Sequence, residues 1–165
     1  MRFLLAILIL LSAPIYADGL KGEMEVYFSP DGGCSAAIVD ACNGAKTEIL
    51  VLAYTFTSAD VAGALIAAHK RKVDVRVIVD QSDTQGKGSE YQPLVDAGIK
   101  VLVDSKHRIA HNKVIVIDGE TVLTGSYNYT YTAEHKNAEN LLVIKSKPLA
   151  EAYRKNWELH ASHSK

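Results

Sequence analysis

Apolar and polar residues follow two different periods along this chain, and each change of period marks an element. Residues 48–54 (EILVLAY) are a nearly continuous apolar run of strand length, which predicts a strand covered on both faces. Residues 73–79 and 99–103 repeat that character, and residues 25–29 form a shorter β-prone segment. Between these runs the period lengthens. An Ala-rich helix follows the turn Pro30-Asp31-Gly32-Gly33 and ends near Gly44, and Ser58 caps a helix through Lys70 with Val61, Leu65 and Ala68 on one stripe. Residues 81–89 read as an exposed loop and residues 90–97 as a short helix. The second half differs: residues 111–117 and 121–124 are strands joined by Asp118-Gly119, a hairpin turn signal, and residues 141–144 add another strand. Pro148 opens a terminal helix with Tyr153 and Trp157 on one face. The order predicts an α/β fold, a mixed central β-sheet flanked by helices on both faces.

Composition narrows the function. The chain has 165 residues, 48% hydrophobic and 22% charged, which fits one globular domain and excludes a disordered tail or a fibre. With 18 Lys+Arg against 19 Asp+Glu, the formal charge is −1, so any site for a polyanion must be local. Residues 1–17 place Arg2 before the apolar run 3–11 and a short stretch ending at Ala17, the pattern of a secretory signal peptide too short to cross a bilayer. Cleavage after Ala17 leaves a single catalytic domain of residues 18–165, periplasmic or secreted; an uncleaved signal would tether it to the outer face of the inner membrane. Cys34 and Cys42 sit on an Ala-rich helical pattern where eight residues rise about 12 Å, beyond the ~7 Å that a disulfide spans. They read as buried or free thiols unless Cys34 precedes the helix.

The chemistry collects around the hairpin. His111 and Lys113 are two apart and would share one face of a strand, and Ser126 and Asn128 repeat that spacing on the partner segment. Paired in register, they gather an imidazole, a fixed positive charge, an amide and a hydroxyl, equipment for an anionic tetrahedral centre.

The pattern H-x-K-x4-D, here His111, Lys113 and Asp118, followed by G-S-x-N, here Gly125, Ser126 and Asn128, resembles the signature of the phospholipase D superfamily. Six specified positions at about 5% each give a chance on the order of 10⁻⁸ per starting point. The likeness extends through residues 53–56 and Glu139-Asn140 to nearly the whole mature chain, and is greatest to small bacterial members that are nucleases. Most members carry two motifs per chain; this sequence carries one, and similar single-motif proteins build the site from two subunits.

The resemblance implies a homodimer in which His111 attacks phosphorus while the second subunit's imidazole protonates the leaving alkoxide. Lys113 and Asn128 bind the non-bridging oxygens with support from Ser126. Glu139 holds the other ring nitrogen of His111, and Asp118 is either a second orienting acid or a structural anchor. No cofactor and no catalytic metal are implied, since Lys113 stands where a metal site would place carboxylates. The expected activity is a metal-independent, non-specific endonuclease acting on DNA, with RNA kept open. The alternatives are a phospholipase D acting on phospholipid headgroups and a nucleic-acid-binding module in DNA uptake; a membrane partner is expected only if the signal is retained. His107, His135, His160 and His163 are expected to be exposed, with His107 and Arg108 lining an entrance. Tyr127, Tyr129 and Tyr131 would either stack on bases or pack alternately along a strand.

Overall fold

In the computed structural model, which describes residues 23–165, the apolar runs become seven strands of one sheet. These are β1 (Met24–Ser29), β2 (Glu48–Ala53), β3 (Asp74–Asp80), β4 (Lys100–Asp104), β5 (Lys113–Ile117), β6 (Thr121–Gly125) and β7 (Glu139–Lys145), in the spatial order β1-β7-β6-β5-β2-β3-β4. The helices are α1 (Cys34–Gly44), α2 (Ala59–Lys70), α3 (Tyr91–Asp96), α4 (Tyr131–His135) and α5 (Lys147–Ala161), with a 3-10 turn at Gln81–Gln85. The expected signal peptide and its cleavage point lie outside the described residues.

Strands β2, β3 and β4 pair in parallel, each joined to the next by a helical crossover, whereas β5, β6, β7 and β1 extend the sheet antiparallel. The sheet is therefore mixed, as the sequence predicts. Strand β2 is apolar throughout because it is covered twice. Ile49, Val51 and Ala53 pack on the side of α1 and α2 with Ile38, Leu65 and Ile115, while Leu50 and Leu52 join Val114, Val116, Val122, Ala150 and Trp157 under α5. The Trp157 indole N–H donates to Val51 O at 3.0 Å and fixes α5 on the sheet. Ser58 caps α2, its hydroxyl accepting from Val61 N at 3.4 Å. Cys34 and Cys42 are both buried, unpaired and on α1, and burial pushes their thiols up to about 11 and about 12.

Helix α5 covers only the middle of its face. Beyond it, Met24, Val26 and Phe28 of β1 are 64%, 52% and 61% exposed, and by register they adjoin Ile144 and Leu142 of β7.

Two local expectations fail. Strand β5 begins at Lys113, so His111 lies in the segment entering it. The tyrosines do not alternate along a strand: Tyr127 and Tyr129 are buried, and Tyr131 starts α4 and is exposed. The Tyr127 hydroxyl donates to Glu134 at 2.8 Å and the Tyr129 ring meets Phe56 edge-on at 5.5 Å, so neither can stack on a base.

Candidate active site

Strand register brings distant residues to one edge of the sheet. Ala53 at the end of β2 stands opposite Lys113 at the start of β5, Thr124 near the end of β6 opposite Val114, and Leu141 near the start of β7 opposite Gly125. This edge therefore collects Tyr54, His111, Lys113, Ser126, Asn128 and Glu139, all sequence-predicted site residues except Tyr54.

The Gly-Ser step has a steric cause. A Cβ on Gly125 would lie 2.2 Å from Asn140 O, so only glycine permits β6 and β7 to approach here. Asn140 O accepts from Ser126 N at 3.1 Å and Tyr127 N at 3.3 Å. The Ser126 hydroxyl accepts in turn from Asn140 N and Nδ2 at 3.1 and 3.3 Å, a supporting position that locks the segment leading to Asn128.

Lys113 is 7% exposed and has no carboxylate partner among the described residues. Its Nζ lies 3.0 Å from His111 Nδ1, donates to His111 O at 2.9 Å and sits 5.1 Å from the centre of the Tyr54 ring. The Tyr54 and His111 rings are 4.5 Å apart, so the phenol wall orients both groups. Burial pulls the Lys113 amine below lysine's usual value, and the charge of Glu139 pulls it partly back. Asn128 Oδ1 is sealed from solvent with no partner among the described residues. His111 itself is exposed. One accessible imidazole thus stands against a buried cation, a group that gains most when an anion arrives.

Glu139 does not meet His111 within the chain: its Oε1 accepts from Asn137 Nδ2 at 3.0 Å, and its backbone N–H donates to Ser29 Oγ at 3.1 Å. For Asp118 the structure decides between the two roles and corrects its inclusion with the catalytic residues. It lies past the far end of β5, at the opposite edge of the sheet, where its carboxylate accepts from Lys46 N, Thr47 N, Thr47 Oγ1 and Glu48 N at 2.7–3.0 Å. Burial pushes its carboxyl up, but these donors outweigh it and hold the group below the ordinary value. Asp118 is an anchor for the turn between α1 and β2.

The terminal histidines are a second correction. His160 is 9% exposed, and its Nδ1 lies 2.7 Å from Asp104 Oδ2; His107 Nδ1 and His163 Nε2 lie 2.9 and 3.5 Å from the same oxygen. The signal was two pairs with i, i+3 spacing, Asp104 with His107 and His160 with His163, which become neighbours only when α5 docks beside β4. His107 and Arg108 do line a shallow depression of about 340 Å³ with Asp80, Gln81, Ser82 and Gln85. Asp80 was also missed: its Oδ2 accepts from Ala110 N at 2.7 Å and holds the backbone immediately before His111. A larger depression of about 730 Å³ between α1, α2 and α4 contains none of the site groups, and His111 is exposed at its edge of the sheet.

Comparison with known proteins agrees with this geometry. The family described as cardiolipin synthase, PLD-like domain, matches residues 38–160. A protein of Rickettsia felis named phospholipase D is 40% identical over 138 residues, which cover 84% of this chain and 69% of that protein. A mitochondrial cardiolipin hydrolase of Xenopus laevis is 39% identical over 70% of this chain and 55% of its own length. Among solved structures, Nuc from Salmonella typhimurium, described as a phospholipase D family member, superposes with a TM-score of 0.84 at 37% identity, covering 88% of this chain and 97% of Nuc.

Proposed function

The chain belongs to the phospholipase D superfamily and is a phosphodiesterase, and on that premise we propose an exported homodimeric endonuclease that cleaves DNA, with RNA as a further substrate, without a catalytic metal. The observation that carries the nucleic-acid reading is the rim of the site. Lys106 and Arg108 are exposed on the loop that runs directly into His111. A chain of net charge −1 thereby carries its local cationic surface beside the reacting imidazole.

His111 attacks phosphorus and forms a phosphohistidine, which divides one displacement into two. The partner's His111 protonates the departing alkoxide and later takes a proton from water. Lys113 and Asn128, together with the partner's Lys113 and the partner's Asn128, bind the non-bridging oxygens. Phosphodiester cleavage needs a barrier reduction of about 20 kcal/mol. General acid catalysis supplies about 3–5 kcal/mol, and each well-placed donor about 3–4 kcal/mol, so one half-site with a single ammonium and amide is too little. Doubling the site closes most of that gap. The two imidazoles work in opposite protonation states, which coupled titration of a close pair allows, and kcat/KM then follows a bell-shaped pH profile. The supporting surface is the uncovered strip Met24, Val26 and Phe28, which leads along β1 to Ser29 and Glu139 at the site edge.

That same strip favours a second reading, a phospholipase D whose apolar face rests on a bilayer. Plasmid DNA and phosphatidylcholine vesicles, each incubated with the protein in EDTA beside His111→Ala, separate the two. Plasmid nicking that disappears in the variant, with no choline release, is expected; choline release with intact plasmid would establish the lipid enzyme instead.

A further inference from the structure

We propose that Asp104, His107, His160 and His163 form a structural zinc site that ties the C-terminal helix to the loop leading into the active site. These four residues lie apart from the reacting groups, whichever phosphodiester is cut. Asp104 is fully buried at the end of β4, and its Oδ1 is taken by the backbone N–H groups of Lys106 and His107 at 3.0 and 3.3 Å. The carboxylate is thus fixed, with Oδ2 turned toward three imidazole nitrogens at 2.7, 2.9 and 3.5 Å. The four donor atoms, one per residue, lie within 4.8 Å of one another. Tetrahedral zinc with bonds of about 2.0–2.1 Å separates its ligands by about 3.3 Å, so small ring rotations convert this cluster into a ligand set.

The chemistry of the donors favours zinc. Three imidazoles and one carboxylate suit Zn²⁺, whereas Mg²⁺ and Ca²⁺ take oxygen ligands. Without a cation, one carboxylate oxygen must satisfy three rings whose centres are 4.9–5.6 Å apart. A cation gives each ring lone pair its own partner, and charged rings at that spacing would repel. His163 Nδ1 is buried without a partner among the described residues, so Nε2 makes that ring's one polar contact among them. His107, with its side chain 44% exposed, leaves a path for the ion.

The consequence is mechanical. His160 ends α5 and His163 follows it, and beyond them Lys165 exchanges backbone hydrogen bonds with Val103 at 2.7 and 3.2 Å, adding a bridge to the free edge of β4. Asp104 and His107 open the loop that reaches Ala110 and His111. Zinc here would brace the chain terminus against the segment carrying the reacting imidazole, without touching substrate.

The test uses untagged protein. After equilibration at about 1 µM free zinc, mass spectrometry of the metal content should give about one zinc per chain, unchanged in His111→Ala. The partly exposed ligands permit a folded double variant, His107→Gln with His163→Asn, in which zinc affinity should fall at least ~100-fold. Zinc should raise Tm by about 5 °C in the natural chain and not in the double variant. Substoichiometric zinc, or binding that the double variant retains, would overturn the proposal and leave the cluster a hydrogen-bonded knot. Should the double variant fail to fold, competition between the natural chain and a chelating dye decides the question alone.

Discussion

The two edges of the sheet are built from similar side chains to opposite ends. At the edge holding Asp118 and Glu48, charges are matched: Asp118 accepts four hydrogen bonds, and Glu48 pairs with both Arg76 and Arg154. At the edge holding His111, the buried ammonium of Lys113 has an imidazole and a carbonyl but no carboxylate among the described residues, and Asn128 Oδ1 has no partner among them. The first arrangement contributes stability because both of its carboxylates are partnered within the fold. The second leaves its buried ammonium wanting an anion, which is what phosphate supplies. A catalytic motif can therefore span both edges, with its histidine and lysine on one and its aspartate holding the strand from the other.

Substitutions should respect this division. His111→Ala is expected to lower kcat/KM by ~10⁴-fold or more with Tm almost unchanged, since the ring is exposed and supports little of the core. Lys113→Met should cost ~10²–10³-fold in kcat/KM while leaving or raising Tm, because it removes a buried charge without a carboxylate partner. Asp118→Ala should reverse the pattern, with a loss of about 2–3 kcal/mol in urea unfolding and nearly natural kcat in the surviving fold. Its carboxyl titrates lower when folded, so the stabilisation is present above the unfolded value near 3.9 and fades as pH falls through the folded one. Natural and variant stabilities should therefore converge in acid. Glu139→Gln should have the smallest effect. It removes the charge that raises the Lys113 amine, so the Lys113 titration followed by NMR moves to lower pH. An unmoved titration would separate Glu139 from Lys113.

Much of this was legible in the chain because the signals are local. The apolar run of β2, the Ser58 cap and the Asp118-Gly119 turn each act within a few residues. The H-x-K and G-S-x-N spacings fixed which groups meet, because strand register then places them at one edge. What escaped depends on packing between distant elements. Tyr127 and Tyr129 look like an alternating strand until Glu134 and Phe56 bury them, and Asp118 carries no mark of which sheet edge it will occupy. His160 and His163 read as surface residues because Asp104, their common partner, lies 56 residues away from His160.

The central claim is that each imidazole of a pair has its own task within one shared site, and mixing subunits tests it most directly. Equal amounts of natural and His111→Ala protein, exchanged to equilibrium, should retain about one quarter of the natural phosphodiesterase activity, since only the wholly natural pairs work. Retention of about one half would mean that each chain acts alone and would contradict the shared site.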